Sequence, residues 1–496
     1  MEALRSIFGL CAVTPRLPAE TDAIYPLHML DDIKTIRVTI CTWTLRFNDV
    51  LDADKLHASL SSLLEMGDWR KIGGRLALNE KGKVEIRVPE RFKSAQPAVS
   101  YTYEDLAMEI ADHPLAKTLP KATENLSIQP GADKFRPFAV SKDAPETLED
   151  YFARDIPMLS LRVTSFSDAT LVGLSWPHAL MDVMGQKALL NAWSLVLAGR
   201  MSEVPPVLGA HEDAICAALD SDIKKEEFLL GRKQLNGWSM AKFVLNYTWQ
   251  LLRTTTPEER MIFLPERAMA QLRCRAEEDL AIDDGTEKDK QFISDGDILT
   301  AWVSHAVARS LSRPRPLTVL HALNARFRLP SLIQAPGVFI QNMVIGAYTN
   351  LSPEVSTGPL GPIALENRHC LKEQVTEGQV LAFLRELNGL AKKTDDPSVL
   401  CGETNAALLS FTNWSRADIF KAADFGPAVV RAGETGPQRS NPPGTMVYQH
   451  GRSMRQIPGI TNLVVVLGKD HGRNYWLSAT LPPSTWDMIK EITTLT

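Results

Sequence analysis

Short runs of apolar residues recur along the whole chain, and their spacing predicts an alternation of strands and helices. Alternating or continuous apolar segments predict strands over residues 36–47 (with a bulge near Ile40), 84–88, 158–166, 170–176, 260–264, 317–323, 338–344, 408–414, 462–467 and 475–481. Apolar residues at helical spacing predict helices after Asp52, after the turn at Pro177, over 238–252, after Pro265, after Ser294 and from Ser484. The chain shows no internal repeat and no heptad pattern.

One stretch, residues 171–200, joins an apolar strand to a helix through a short polar turn. The turn carries His178 and Asp182, and Pro177 before it fixes its own φ, which suits a chain leaving a strand. A histidine can take a proton from a hydroxyl, amine or thiol at physiological pH. The aspartate either orients the imidazole or ties the turn to the rest of the fold. The stretch is therefore the candidate catalytic centre.

The spacing His-x-x-x-Asp is weak support by itself. Among ten histidines, chance should give about one such pair. His28 and Asp32 do form a second pair with the same spacing. A histidine that serves only packing is thus an alternative interpretation of His178.

Length and charge limit the classes of protein to consider. At 496 residues the chain exceeds one ordinary core, so two domains are expected. A hydrophobic content of 44% with 23% charged residues is typical of a soluble globular protein. The formal charge of -5 argues against a nucleic-acid-binding protein, and an anionic substrate would need a local basic patch.

Cysteine spacing and the N-terminal pattern bear on location. The six cysteines lie far apart, with no CxxC spacing, and fit reduced thiols of an intracellular protein: Cys11, Cys41, Cys216, Cys274, Cys370 and Cys401. The apolar patch before Pro15 and Pro18 is too short for a signal peptide, and no run of about eighteen apolar residues exists to span a membrane. We expect a cytoplasmic protein.

Two further segments have alternative interpretations. Residues 238–252 predict an amphipathic helix, with Lys242, Asn246 and Gln250 on one face. Packing of this helix against its own domain is favoured over docking on a membrane surface. Acidic residues at 277–279 and 283–284, in a charged segment over 277–290, indicate a solvated loop and not a metal cluster.

Gly185 extends the pair at His178 to HxxxDxxG, and together with this motif five other segments, one before it and four after it, occur in a family's order. They are GGRL at 73–76, NARFRL at 324–329, VFIQNMVI at 338–345, LSFTNW at 409–414 and ADFG at 423–426. Together they resemble the acyl-CoA-dependent acyltransferases of the BAHD family, in particular the fungal branch related to trichothecene 3-O-acetyltransferase-like enzymes. Gln341 replaces a glycine of the family pattern, and Pro427-Ala428 replace Trp-Gly after DFG, which puts the shape of that loop in doubt.

The resemblance implies a two-lobed, chloramphenicol-acetyltransferase-like α/β (α+β) fold. Each lobe would be a mixed sheet flanked by helices, with an active-site tunnel between the lobes. We expect an N-terminal lobe over 1–200, a crossover connection over 201–257 and a C-terminal lobe over 258–496. Part of residues 405–430 is expected to join the N-terminal sheet.

The resemblance also implies roles for single residues. His178 would be the general base in the tunnel. Asp182 would point away from the tunnel and pair with Arg326, with Arg328 as the second choice, because a buried carboxylate is costly unless it is paired. Gly185 would support the same turn.

The strand near residue 412 and the later DFG segment would also belong to the site. Thr412, Asn413 and Trp414 would face the tetrahedral intermediate as oxyanion stabilisers, although an ordinary interior strand is equally consistent with their sequence. Asp424 and Gly426 would be structural.

The implied activity is O-acylation of a small hydroxylated secondary metabolite by a monomeric enzyme. The donor would be acyl-CoA, with acetyl-CoA the commonest in this family, and the mechanism would need neither a metal nor an acyl-enzyme. The sequence does not identify residues that bind coenzyme A. N-acylation, a CoA-independent condensation or cyclisation, and a non-catalytic binding protein are alternatives. The chain has no GxSxG elbow, P-loop or HExxH motif.

Overall fold

The computed structural model describes residues 22–220, 225–283, 292–433, 439–455 and 459–494. The strands are β1 Ala23–Pro26, β2 Ile40–Phe47, β3 Asp49–Leu51, β4 Arg75–Leu78, β5 Val84–Val88, β6 Ser100–Asp105, β7 Ser127–Pro130, β8 Ser160–Ser165, β9 Thr170–Pro177, β10 Val207–Leu208, β11 Glu258–Leu264, β12 Leu317–Asn324, β13 Val338–Phe339, β14 Val344–Leu351, β15 Ala407–Asn413, β16 Val429–Ala432, β17 Met446–Ser453, β18 Leu463–Lys469 and β19 Tyr475–Leu481.

The α-helices lie between these strands and at the end of the chain. They are α1 Lys34–Arg37, α2 Ala53–Leu63, α3 Arg136–Ala139, α4 Leu148–Arg154, α5 Val183–Leu197, α6 Ala214–Leu219, α7 Gly237–Leu251, α8 Glu266–Asp283, α9 Asp295–Ser310, α10 Pro330–Ile333, α11 Pro353–Ser356, α12 Leu360–Gln374, α13 Glu377–Ala391 and α14 Pro483–Thr494.

The N-terminal lobe is built on a five-stranded mixed sheet with the order β17-β2-β9-β8-β6. Strand β9 lies at its centre, and all eight of its residues are buried. Helices α2 and α5 pack against each other beside this sheet, where Trp193 Nε1 donates to Leu56 O and Ser59 Oγ. Asp52 caps α2 by accepting from Lys55 N at 2.9 Å, as the sequence predicts.

The C-terminal lobe is built on a seven-stranded mixed sheet with the order β14-β12-β15-β18-β19-β11-β7. Strands β12, β15 and β18 run parallel to one another. Helices α8, α9, α12 and α14 share the apolar core of this sheet. Ser294 and Asp297 form the predicted capping box at the start of α9. The prediction of two lobes, each a mixed sheet with flanking helices, is confirmed.

The two lobes exchange strands. β7, from the first third of the chain, pairs with β11 at the edge of the C-terminal sheet, and β17 pairs with β2 at the edge of the N-terminal sheet. Of the strands in residues 405–430, β15 lies inside the C-terminal sheet, while β16 begins at Val429 and pairs with β3 in a two-stranded sheet. That part of 405–430 joins the N-terminal sheet stays a prediction. Residues 417–428 contribute buried side chains to the N-terminal core. The limits 1–200, 201–257 and 258–496 stay a prediction.

Three predicted elements differ from the structure. Residues 34–37 form helix α1, so the strand predicted from residue 36 begins at Ile40. The strand predicted over 338–344 is divided into β13 and the start of β14, and Asn342 lies between them. Helix α8 continues to Asp283, although a loop was predicted from residue 277. The rest of the predicted loop, 284–290, lies outside the described residues. Residues 1–21, which include Cys11, also lie outside them.

Candidate active site

Strand β9 delivers His178 to the end of the N-terminal sheet. The backbone of His178 is held on both sides, because its N–H donates to Thr39 O at 2.8 Å and its carbonyl accepts from Asn342 Nδ2 at 2.8 Å. The side chain is partly exposed. Its Nδ1 has no hydrogen-bond partner among the residues that the structure describes. The backbone is thus fixed while the imidazole is left without a protein partner at Nδ1.

Asp182 turns away from the imidazole and uses both of its carboxylate oxygens elsewhere. Oδ1 caps helix α5 by accepting from Met184 N at 3.0 Å and Gly185 N at 3.2 Å. Oδ2 accepts from Arg326 Nη1 at 2.7 Å and from Met343 N at 3.0 Å. The carboxylate therefore links the His178 turn to the C-terminal lobe and does not orient the ring.

Arg326 is the arginine that holds Asp182. Its guanidinium also donates to Phe339 O and Gln341 O, so a buried cation is surrounded by acceptors. Arg328, the second choice from the sequence, lines a separate cavity and is not the arginine that contacts Asp182. The structure brings Asp182 and Arg326 together, in the arrangement that the resemblance implies.

Asn342 and Asp31 extend this network, and sequence reasoning missed the roles of both. Asn342 Nδ2 donates to Asp31 Oδ1 at 2.8 Å as well as to His178 O, and Asn342 N donates to the same Asp31 oxygen. Burial raises the pKa of the Asp31 carboxyl, with Lys71, also buried, acting in the opposite direction. No periodic pattern marks Asp31 as buried, because its burial depends on contacts with residues about 300 positions away.

Gly185 permits close approach between the lobes. A Cβ built at this position would lie 2.6 Å from Met181 Cβ and closer to Ile340 O than van der Waals contact allows. Only glycine allows the first turn of α5 to approach the segment that carries Asn342. The glycine of HxxxDxxG therefore has a steric role in the site.

Thr412, Asn413 and Trp414 lie at the carboxyl end of β15. Thr412 pairs with Val465 of β18 and is partly exposed, while Asn413 is exposed and accepts from Ser415 N at 2.9 Å. Trp414 packs against the N-terminal core, with its ring edge facing Gly451 of β17. The end of this strand thus lies at the contact between the lobes.

Asp424 and Gly426 form a turn that is anchored to the helix following His178. Asp424 N donates to Ser194 Oγ of α5 at 2.9 Å, and the Asp424 carboxylate accepts from Gly426 N at 3.0 Å. Phe425 between them stacks on Phe47 and contacts Trp193. The DFG segment supports the N-terminal core.

A cavity of about 640 Å³ opens in the C-terminal lobe, at the carboxyl ends of β12 and β15. Its lining includes Asn413 and the basic side chains Arg328, Arg368 and Lys372. Arg328 Nε is buried without a partner among the described residues, and burial together with Arg416 lowers the pKa of its guanidinium. This cavity can accept an anionic group. His178 is not part of its lining.

Within the described ranges, no group of three or more histidine, cysteine, aspartate or glutamate side chains could hold a metal ion. None of the helices described is long and apolar enough to cross a membrane.

Comparisons with known proteins place the chain among transferases. Residues 132–429 match the family described as Transferase family. O-acetyltransferase PaAT-2 of Phomopsis amygdali is 36% identical over 483 residues, which cover 95% of this chain and 97% of that protein. Acetyltransferase pyiB of Pyricularia grisea is 34% identical over 475 residues, which cover 95% and 94% of the two chains.

The fold is shared with a solved structure. The structure of F. sporotrichioides TRI101, complexed with coenzyme A and T-2, superposes on this chain with a TM-score of 0.61. The superposition covers 95% of this chain and 97% of the TRI101 chain. Sequence identity in that alignment is 16%, so the likeness concerns the fold alone.

Proposed function

Because the chain belongs to the Transferase family, whose members of the BAHD type are acyl-CoA-dependent acyltransferases, we propose that it transfers an acyl group from acyl-CoA to a hydroxyl of a small secondary metabolite. The observation that carries this proposal is the His178 turn. Its backbone is fixed by both lobes, its Asp182 is fully engaged in lobe contacts, and its imidazole Nδ1 is left without a protein partner.

His178 acts as the general base in this proposal. The imidazole takes the proton of the acceptor hydroxyl while the hydroxyl oxygen bonds to the thioester carbonyl carbon. It returns the proton to the thiolate when the carbon–sulfur bond breaks, so an ester and a thiol replace an alcohol and a thioester. Rate enhancement comes chiefly from holding donor, acceptor and base in one geometry, without an acyl-enzyme.

The end of β15 supplies the candidate groups for stabilising the developing oxyanion. Thr412 is partly exposed and Asn413 is exposed, and both stand where the lobes meet. A hydroxyl or amide donor fixed by a strand stabilises charge without reorganising as the reaction proceeds. Trp414 is proposed to fix the position of this strand end against the N-terminal lobe.

The 640 Å³ cavity is the proposed site for the phosphate-bearing half of the donor. Arg328, Arg368 and Lys372 give it positive charge, although Asp297 pairs with Arg368 at 2.7 Å. The buried Nε of Arg328 lacks an acceptor that a phosphate oxygen would provide. Asn413 is among the residues that line the cavity, so a donor bound there would lie beside the end of β15.

The names of the relatives support acetyl-CoA as the donor, and the fungal setting supports a secondary metabolite as the acceptor. We further propose that the enzyme acts as a cytoplasmic monomer. Acyl transfer to nitrogen would use the same base and the same cavity, and only the identity of the product separates the two.

The test is mass spectrometry of products formed from acetyl-CoA and other acyl-CoAs with a hydroxylated metabolite extract. The proposal predicts a mass increase of one acyl group and release of free coenzyme A, both lost in His178→Ala. A thermal shift with coenzyme A gives an independent readout of donor binding. Product formation that does not depend on acyl-CoA, or an unchanged rate in His178→Ala, would contradict the proposal.

A further inference from the structure

Helix α7 packs on the protein through one side. Two of the three residues of its predicted polar face lie on this side: Asn246 Nδ2 donates to Thr404 O at 2.9 Å, and Gln250 lines a cavity beneath the helix. The third, Lys242, is exposed. Tyr247 also faces inward, where its hydroxyl donates to Gly459 O at 2.6 Å. Phe243 is the one residue of the helix that is buried in the described structure. The side of α7 that packs on the protein is therefore mixed, with Phe243 and Tyr247 beside Asn246 and Gln250.

The outward side of α7 carries large apolar side chains together with the exposed Lys242. Trp238, Leu245, Trp249 and Leu252 are 85%, 71%, 57% and 77% exposed and follow one another at helical spacing along this side. Large apolar side chains exposed together on one helix face mark a surface that contacts another body. We name this surface the α7 face.

A basic cavity of about 680 Å³ adjoins the α7 face. Trp249 belongs to the α7 face and also lines this cavity, together with Arg253, Arg313 and Arg315. No aspartate or glutamate is among its lining residues. Burial lowers the pKa of Arg315, and no acid contributes to that shift. In a chain with a formal charge of -5, this is a local concentration of positive charge without counter-ions.

The basic cavity is separate from the proposed active site. Asn405 and Asn462 line the basic cavity and lie just before the amino ends of β15 and β18. Asn413 lies at the other end of β15, its carboxyl end. A strand of this length spans about 20 Å. The charge here is therefore not part of the cavity proposed to hold the donor.

We propose that the α7 face and its basic cavity form a peripheral docking surface for an anionic phospholipid bilayer. The tryptophans and leucines enter the region between headgroups and acyl chains, where amphipathic rings are stable. The arginines meet lipid phosphates, each contributing to attraction near the surface. An anionic bilayer matches both parts of the surface, because it offers an interfacial region to the apolar side chains and phosphates to the arginines. This inference does not depend on the reaction catalysed.

The test is co-sedimentation of the full chain with two kinds of vesicle, phosphatidylcholine alone and phosphatidylcholine with phosphatidylserine in equal parts. Wild type should bind the mixed vesicles and be released by salt. Arg313→Gln/Arg315→Gln should weaken binding to mixed vesicles about 25-fold, since each cation contributes about fivefold. Trp238→Ser/Trp249→Ser should abolish binding to both kinds.

Two control variants change exposed residues outside the α7 face and the basic cavity. Val430→Ser removes an exposed apolar side chain, and Lys81→Gln/Lys83→Gln removes two exposed cations. Both should bind as wild type does, and all variants should keep the wild-type melting temperature. Absence of binding by wild type at low salt would overturn the proposal. A dimer seen by light scattering, dissociated by Trp238→Ser/Trp249→Ser without any vesicle binding, would also overturn it and assign the face to a second copy.

Discussion

The spacing His-x-x-x-Asp occurs twice in this chain, and the structure uses the two pairs differently. His28 is buried and its Nε2 is hydrogen-bonded to Gly209 O at 2.6 Å, while Asp32 makes a partly exposed ion pair with Arg37. His178 leaves Nδ1 without a protein partner, and Asp182 forms a buried ion pair across the lobes. The same spacing thus gives a buried, hydrogen-bonded histidine in one place and, in the other, the histidine that is proposed as the general base.

The two regions nevertheless meet. Asp31, next to Asp32, accepts from the Asn342 side chain that also holds the carbonyl of His178. The first pair therefore lies in a segment that supports the second. The two histidines differ in their sets of neighbours, which local spacing does not contain.

The largest expected effect is on turnover, and it compares the two histidines directly. His178→Ala should lower kcat by about 10,000-fold, because general base catalysis is lost, with an unchanged melting temperature. His28→Ala should leave kcat near wild type and lower the free energy of unfolding by about 1–3 kcal/mol, because Gly209 O loses its partner. Steady-state kinetics and thermal melting measure both. If His28→Ala were the inactive variant, the two roles would have to be exchanged.

The two aspartates provide the second comparison. Asp182→Ala should cost about 3–5 kcal/mol, because it leaves Arg326, with a side chain only 8% exposed, as an unpaired buried cation. Asp32→Ala should cost at most about 1 kcal/mol, because its carboxylate is 32% exposed. Urea denaturation of each variant gives the difference. Equal losses would show that the buried pair does not hold the lobes together.

A third histidine should make stability depend on pH. Burial lowers the pKa of His321 from 6.5 to about 4. Between these values the unfolded chain binds a proton that the folded chain does not, so this contribution is present above pH 6.5 and is lost as pH falls toward 4. The loss should approach about 3 kcal/mol. His321→Gln should flatten the profile of unfolding free energy in this window, whereas His211→Gln, at an exposed position, should reproduce the wild-type slope.

The smallest expected effect concerns the glycine of the site. Gly185→Ala should cost about 1–3 kcal/mol and lower kcat, because the new Cβ pushes the Ile340 segment away from α5. Gly389→Ala, in helix α13 with no atom within 4 Å of the new Cβ, should stabilise by up to about 1 kcal/mol. Chemical denaturation and kinetics compare the two. A neutral Gly185→Ala would mean that the lobes can separate slightly without loss of function.

Local pattern predicted most elements near the site because the relevant signals are short in range. The apolar run of β9, the cap at Asp52 and the capping box at Ser294 each depend on residues a few positions apart. The resemblance implied the pairing of Asp182 with Arg326, which the structure places together. Apolar alternation predicted the strand over 408–414 but did not predict its neighbours, β12 and β18.

By itself the sequence determined most elements near the site, the turn at His178 and, through its ordered motifs, the two-lobed fold. Only the tertiary structure decided that Asn342 and Asp31 hold that turn, that β7 and β17 are exchanged between the lobes, and that α7 turns large apolar side chains outward. The physical reason is distance along the chain. Periodicity records which face of an element is apolar, whereas the partner of a buried polar group or an edge strand is set by contacts between residues hundreds of positions apart.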